Sequence, residues 1–138
     1  MKKLDLYQAL WGMIDLPPNQ LEDSIEVQLK KIEAAGFDGV LHFIEDTSKN
    51  SLDRTYEITD LIHQTDLKLG ISCVAYSVDD ARWKIEYAKE QGAEFLNVMV
   101  KDYFIKGKEA TLYLEEIISI GKENNVNVLI ETHRGTVT

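Results

Sequence analysis

Basic residues are in the minority in this sequence of 138 residues: 15 lysines and arginines stand against 24 aspartates and glutamates, for a net charge of -9. The only adjacent basic pairs are Lys2-Lys3 and Lys30-Lys31. Because recognition of a phosphate backbone needs cations gathered on one face, this composition argues against a nucleic-acid partner. It is compatible with a small anionic substrate, which needs only one or two local cations.

Long apolar runs are also lacking, and cysteine is almost absent. No segment approaches the roughly 20 apolar residues of a membrane span, and no apolar run of a signal peptide follows the N-terminal lysines. We therefore expect no membrane association. The single cysteine, Cys73, lies in an apolar run and cannot form an internal disulfide, so we predict a small buried core residue. These features favour a cytoplasmic protein.

Five short apolar runs alternate with four helical patterns along the chain. Little polar alternation interrupts the apolar runs, which is typical of parallel strands covered on both faces. We predict strands at Leu6–Gly12, Gly39–Ile44, Leu69–Tyr76, Phe95–Val100 and Val126–Glu131. We predict helices at Gln20–Ala35, Ser51–Thr65, Asp79–Gln91 and Lys108–Glu123.

The ends and inward faces of the helices can also be predicted. Asn19, with Glu22 three residues on, is typical of a helix N-cap. Gly36, Gly92 and the pair Asn124-Asn125 follow three of the helices, and Gly and Asn tolerate the left-handed conformation that ends a helix. In the second helix the predicted inward residues are Leu52, Tyr56, Leu61 and Ile62.

Repeated βα units of this size predict either an open, doubly wound sheet or a (β/α)8 barrel of typically about 250 residues. Length favours the open sheet. However, the sequence ends seven residues after the last predicted strand, with no covering helix. Trp11-Gly12-Met13 is also not a phosphate-binding glycine loop. The predicted fold is therefore α/β, a (β/α)8 TIM barrel of which residues 1–138 supply about five strands and four helices, the N-terminal portion of one domain.

The carboxyl ends of the strands are where parallel βα proteins carry their sites. The richest of these ends is Glu131-Thr132-His133-Arg134-Gly135. Glu131 and His133 lie two residues apart, so both can point to one side of an extended chain. Both can bind a divalent metal, and Arg134 can hold a phosphate or carboxylate through two hydrogen bonds. The alternative is an exposed polar loop after a strand.

Four other residues near strand ends are candidates for substrate contacts. Trp11 can stack on a sugar, or it can simply pack at the mouth of the barrel. His42 is a candidate substrate ligand or a buried histidine of the strand end. Lys101 and Asp102 can reach a polar ligand or form a solvated loop. Asn97, in the middle of a strand, is a candidate buried polar group of the barrel interior.

The segment Val128-Leu129-Ile130-Glu131-Thr132-His133-Arg134-Gly135-Thr136 resembles the fifth-strand motif of the xylose-isomerase-like TIM barrels. This superfamily contains sugar-phosphate isomerases and epimerases and the endonuclease IV branch of DNA repair. Ala34-Ala35-Gly36-Phe37-Asp38-Gly39-Val40 similarly resembles the end of the first helix and the start of the second strand. Leu41 occupies the position at which many members carry a strand-two glutamate.

The resemblance implies a divalent metal (Mn, Zn, Mg or Co) with four protein ligands. Only the strand-five ligand maps here, onto Glu131, and the other three would lie beyond Thr138. It also implies that Glu131 moves a proton through an enediolate. From their positions near strand ends, we predict that His133, Arg134, Trp11 and His42 contact a small sugar or sugar phosphate.

Because three of the four metal ligands do not map onto this sequence, a second hypothesis is that this chain is a non-catalytic barrel fragment or a self-associating half-barrel. Unpaired edge strands and an uncovered apolar face predict a homo-oligomer or a part of a longer chain. The endonuclease IV activity needs a histidine-rich site, and three histidines with a net charge of -9 argue against it.

Overall fold

The computed structural model describes residues 4–13, 23–44, 49–100 and 105–132, apart from the side chains of residues 49–52. Strands and helices alternate along the chain. The strands are β1 (Tyr7–Ala9), β2 (Gly39–Ile44), β3 (Lys68–Ala75), β4 (Phe95–Val100) and β5 (Val128–Glu131). The helices are α1 (Ile25–Ala34), α2 (Lys49–Ile62), α3 (Val78–Glu90) and α4 (Gly107–Asn124), and a short 3-10 helix, Leu10–Met13, follows β1.

The order of the strands decides between the two predicted architectures. The sheet has the order β1-β2-β3-β4-β5, and β1 with β2, like β4 with β5, is parallel. A doubly wound sheet reverses its strand order at a switch point, whereas each strand of a (β/α)8 barrel follows its predecessor. The predicted α/β class with the strand order of a partial barrel is therefore confirmed. The chain divides into two compact units, Met1–Gly70 and Ile71–Thr138.

In the first unit, the predicted boundaries of β1 and α1 are wrong, and α2 ends at Ile62, three residues before the predicted Thr65. Strand β1 ends at Ala9, and Trp11 and Gly12 lie in the 3-10 helix instead of in the strand. Helix α1 begins at Ile25 with Ser24 as its N-cap, whose Oγ accepts the Val27 N–H at 3.5 Å. The predicted cap Asn19 lies outside the described residues. Two cap-forming sites precede the apolar stripe, and the periodic pattern alone does not choose between them.

The buried face of α2 matches the prediction only in part. Ile62 is buried as predicted and Leu61 is half-buried, but Tyr56 is exposed, and the side chain of Leu52 lies outside the described residues. Thr55, Ile58 and Thr59 are buried instead. The Thr59 hydroxyl donates to the carbonyl oxygens of Thr55 at 3.2 Å and Tyr56 at 3.0 Å. Because a threonine can satisfy its hydroxyl within its own helix, two threonines occupy inward positions that apolar periodicity assigns to larger residues.

In the second unit, alternate residues of the strands form a fully buried row beneath α3 and α4. On β4 the row is Leu96, Val98 and Val100, each 0% exposed. On β3 it includes Cys73, also 0% exposed, so the predicted core position of the cysteine is confirmed. The helices contribute small and branched side chains to the same core: Ala81, Ile85, Ala88, Ala110, Ile117 and Ile120. Burial of each large side chain contributes about 1.5–3 kcal/mol.

The predicted helix ends are confirmed at three positions. Gly36 has φ of 83°, Gly92 has φ of 64° and Asn125 has φ of 58°. All three adopt the left-handed conformation in which L-residues other than glycine and asparagine are strained. Each of these helices therefore stops at the residue that the sequence indicates.

Gly121 lies within α4 where the helix meets the approach to β5. A Cβ atom there would lie 2.5 Å from Val128 Cγ2 and 3.3 Å from the Val126 carbonyl oxygen. Alanine gains about 1 kcal/mol of helix propensity, but overpacking costs about 1–3 kcal/mol. We expect Gly121→Ala to lower the free energy of unfolding in urea denaturation, and Gly121→Ala/Val128→Ala to recover part of the loss. Stabilisation by the single substitution would show that this contact is not tight.

Candidate functional site

Three polar side chains of the second unit lie on one face of β3, β4 and β5. Leu96, Val98 and Val100 point towards the buried helix side, so Asn97 projects from the opposite face of β4. Glu131, the last residue of β5, pairs in register with Met99. Ser72 lies on β3. We call the face that carries Ser72, Asn97 and Glu131 the site face.

Hydrogen bonds join these three side chains across the strands. The Asn97 Nδ2 donates to Ser72 Oγ at 3.2 Å and to Glu131 Oε2 at 2.5 Å. Ser72 is 1% exposed, and Asn97 and Glu131 are half-buried. An ionised carboxylate only accepts hydrogen bonds, so the amide N–H is the matching group beside it. The arrangement presents one oriented carboxylate at the carboxyl end of β5.

A half-buried, oriented carboxylate can act as a general base or acid towards a bound substrate. It can also supply one oxygen ligand to a divalent metal. Among residues 4–13, 23–44, 49–100 and 105–132, however, no group of three His, Cys, Asp or Glu side chains lies close enough together to hold a metal ion. The described residues by themselves therefore do not fit a metal centre, because Glu131 is a single ligand.

Several predicted site residues lie outside the described part of the chain. His133 and Arg134 follow the last described residue, Thr132, which is exposed. Lys101 and Asp102 fall in the undescribed segment between β4 and Ile105. Of the predicted contacts in the second unit, the structure places Glu131 and brings it together with Asn97.

In the first unit, Trp11 contacts Phe43 at the carboxyl ends of β1 and β2. The ring centroids lie 5.8 Å apart with an interplanar angle of 76°, an edge-to-face arrangement. Trp11 is 47% exposed, so the remainder of its indole is accessible to a ligand. Its predicted role in substrate binding stays a prediction.

His42 lies on the opposite face of β2 from Phe43. It shares that face with Val40 and Ile44, which are 0% and 1% exposed. Within the described part of the chain, its Nε2 is buried without a hydrogen-bond partner. Burial, with a smaller contribution from the Arg54 cation, lowers the pKa of His42 to about 4. The imidazole is therefore neutral at pH 7, and its predicted contact with substrate stays a prediction.

A buried lysine near the end of β3 does not follow from the sequence predictions. Lys84 on α3 is 1% exposed, and its Nζ donates to the Val74 carbonyl oxygen at 2.7 Å and to Asp80 Oδ2 at 2.8 Å. It also lies 5.2 Å from the Trp83 ring centroid and 5.9 Å from that of Tyr76. The feature of the sequence that could have predicted this ion pair is the spacing of Asp80 and Lys84, four residues apart on one helix.

Asp80 holds this cluster together from the first turn of α3. Its carboxylate also accepts the Tyr76 N–H at 3.0 Å and the Trp83 Nε1–H at 2.8 Å. Burial acts to raise the pKa of Asp80, but the hydrogen bond from Lys84, with the other donors, outweighs it and the pKa is lowered. Burial raises the pKa of the nearby Cys73 thiol to about 12, so this thiol remains protonated and unreactive.

In the described part of the chain, no helix has the length and apolar character needed to cross a membrane.

Comparison with known proteins gives a match in structure and none in overall sequence. No protein-family model and no curated protein sequence matches the chain. The chain is similar to a solved structure described as a D-tagatose 3-epimerase-like protein, with 15% identity and a TM-score of 0.49. The similarity covers 96% of this chain and 55% of that protein, so the chain spans little more than half its length.

Proposed function

We propose that this chain supplies the strand-five carboxylate of a sugar or sugar-phosphate isomerase or epimerase. The observation that carries the proposal is the place of Glu131, at the carboxyl end of β5 on the site face, with its carboxylate held by Asn97. The resemblance of residues 128–136 to the fifth-strand motif of the xylose-isomerase-like barrels supports the same assignment.

The chemistry is proton transfer next to a carbonyl group. The Glu131 carboxylate takes the proton from the carbon beside the sugar carbonyl, and the C–H electron pair moves to form an enediolate. Return of a proton to the former carbonyl carbon, with the hydroxyl proton passing from one oxygen of the enediolate to the other, gives the isomer. Return of a proton to the opposite face of the original carbon gives the epimer. In this proposal His133 and Arg134, two and three residues beyond the end of β5, bind the sugar hydroxyls or a phosphate.

We propose that a divalent metal (Mn, Zn, Mg or Co) binds only if the remaining ligands are supplied in addition to Glu131. Glu131 is the one metal ligand proposed in this chain, and the described residues do not fit a complete centre. With Glu131 as one of its ligands, such a metal would supply polarisation of the carbonyl and hydroxyl oxygens of the sugar. We also propose a reducing, cytoplasmic location, since the single cysteine is a buried free thiol.

The second candidate is a non-catalytic half-barrel that associates with another copy of itself or with the rest of a longer chain. Leu129 favours it: this side chain is 43% exposed on the same face of β5 as Glu131. Covering this side chain would remove apolar surface from water, which is favourable. Gel filtration with light scattering distinguishes a monomer from a dimer and thereby tests the self-association.

The test of the enzymatic proposal is exchange of solvent deuterium into sugars. The purified chain is incubated in D2O with a panel of aldoses, ketoses and their phosphates, with Mn2+, Zn2+, Mg2+ or Co2+, and followed by proton NMR. The enzymatic proposal requires loss of the signal of the proton beside the carbonyl. Glu131→Gln should slow this exchange at least about 100-fold, because general-base catalysis contributes about 100- to 10,000-fold.

Glu116→Gln is the matched control, since Glu116 is an exposed carboxylate on α4 and its removal changes the net charge equally. It should leave the exchange rate unchanged. If no sugar exchanges deuterium with the wild-type chain, the enzymatic proposal fails for this chain and the non-catalytic candidate remains.

A further inference from the structure

We infer that Asn97 is a positioning residue that acts through Glu131, with Ser72 as its anchor. This inference rests on the proposed function, because it concerns how the proposed base is held. Neither Ser72 nor Asn97 belongs to the motif of residues 128–136. The three side chains come from β3, β4 and β5, and only the sheet brings them together.

The orientation of the Asn97 amide follows from what each neighbour can accept or donate. A serine hydroxyl can donate or accept, so Ser72 tolerates either face of the amide. The ionised Glu131 carboxylate accepts only, so the Asn97 NH2 must face it. With Nδ2 bonded to both neighbours, the two N–H groups of the amide are both used. The charge on Glu131 therefore selects one of the two amide orientations.

Burial makes this selection effective. Ser72 is 1% exposed, which excludes water as a competing partner at that end of the network. A hydrogen bond to a charged group is also about twice as strong as a bond between neutral groups. Asn97 therefore holds Glu131 Oε2 against β4 and restricts the positions that the carboxylate can take on the site face.

Asn97→Asp reverses this interaction with almost no change of shape. The amide NH2 that faces Glu131 becomes a carboxylate oxygen, and two like charges in contact repel each other. Loss of such an outer hydrogen-bond partner typically costs 10- to 100-fold in activity. We expect Asn97→Asp to slow deuterium exchange by this factor. Asn127→Asp, which adds the same charge at an exposed position, should not slow it.

The direct test is the NMR spectrum of the Asn97 side-chain amide in the 15N-labelled full chain without metal or sugar. In the wild type, the proton bonded to the Glu131 carboxylate should resonate downfield of its partner. Glu131→Gln should move that proton upfield, Ser72→Ala should reduce the separation of the two protons, and Glu116→Gln should change neither.

The two proposals can fail separately in this experiment. An Asn97 amide that is unchanged in both Glu131→Gln and Ser72→Ala overturns the positioning role, whether or not the wild-type chain exchanges deuterium. A shifted amide in a chain that exchanges no deuterium supports the contact and overturns the proposed enzymatic function alone. In a chain that does exchange deuterium, an equal exchange rate in Asn97→Asp and the wild type also overturns the positioning role.

Discussion

Asp80→Asn is expected to lower the free energy of unfolding by about 3–5 kcal/mol, the usual cost of removing one partner from a buried ion pair. Lys84 is 1% exposed, so its ammonium group cannot reach water when the opposite charge is lost. The carbonyl oxygen of the new amide can still accept hydrogen bonds, but it cannot balance the charge. Urea denaturation followed by circular dichroism and tryptophan emission measures the change.

Lys84→Met should cost less, about 1–3 kcal/mol, which is the penalty for leaving buried acceptors without a donor. Asp80 keeps the Tyr76 N–H and the Trp83 Nε1–H as donors after the lysine is removed. It also lies in the first turn of α3, where the helix dipole favours a negative charge. The two partners of the pair are thus not equivalent.

The double variant Asp80→Asn/Lys84→Met separates the pair from its surroundings. Its cost should be smaller than the sum of the single costs, because the uncompensated charge is no longer present. Lys31→Met breaks the exposed pair with Asp23, which has side chains 49% and 27% exposed, and should cost at most about 1 kcal/mol. Equal costs for the exposed and buried pairs would contradict the assigned burial of Lys84.

Acidification is expected to destabilise the chain through His42. The pKa of this imidazole is lowered from 6.5 to about 4 by burial and then by Arg54. Between these two values the unfolded chain binds a proton that the folded chain does not, so the free energy of unfolding rises with pH in this window. The stability is fully present above pH 6.5 and is lost as the pH falls towards 4. At 1.36 kcal/mol per pKa unit, the loss between pH 7 and pH 5 is about 2 kcal/mol.

His42→Gln should remove most of this pH dependence, because glutamine does not titrate in the window. The comparison is the difference in unfolding free energy between pH 7 and pH 5 in urea. His63→Gln is the control, since His63 lies just past α2 and is exposed. A pH dependence that is lost in His63→Gln and retained in His42→Gln would show that His42 is not the responsible group.

The location of the candidate carboxylate could be predicted from the sequence because it depends on local features. A continuous apolar run predicts β5, and Glu131 is the first polar residue after Ile130 in that run. The contact with Asn97 could not be predicted in the same way. Asn97 and Glu131 are 34 residues apart, and their contact depends on the register that places Asn97 opposite Leu129.

The sequence did not reliably predict on which face of a strand or helix each side chain lies. Leu41, His42 and Phe43 all lie in one predicted strand, but the structure places Phe43 against Trp11 and buries His42 on the other side. An apolar run with little polar alternation predicts a strand covered on both faces. Such a run carries no information about which face will hold the site.

The sequence by itself determined the alternation of strands and helices, the left-handed ends at Gly36, Gly92 and Asn125, and the end of β5 at Glu131. These features depend on hydrophobic period and on backbone preferences of single residues. Only the tertiary structure decided the strand order, the buried pair of Lys84 and Asp80, and the network of Ser72, Asn97 and Glu131. These depend on which strands become neighbours and on how much water each polar group loses, and both are set by packing between distant parts of the chain.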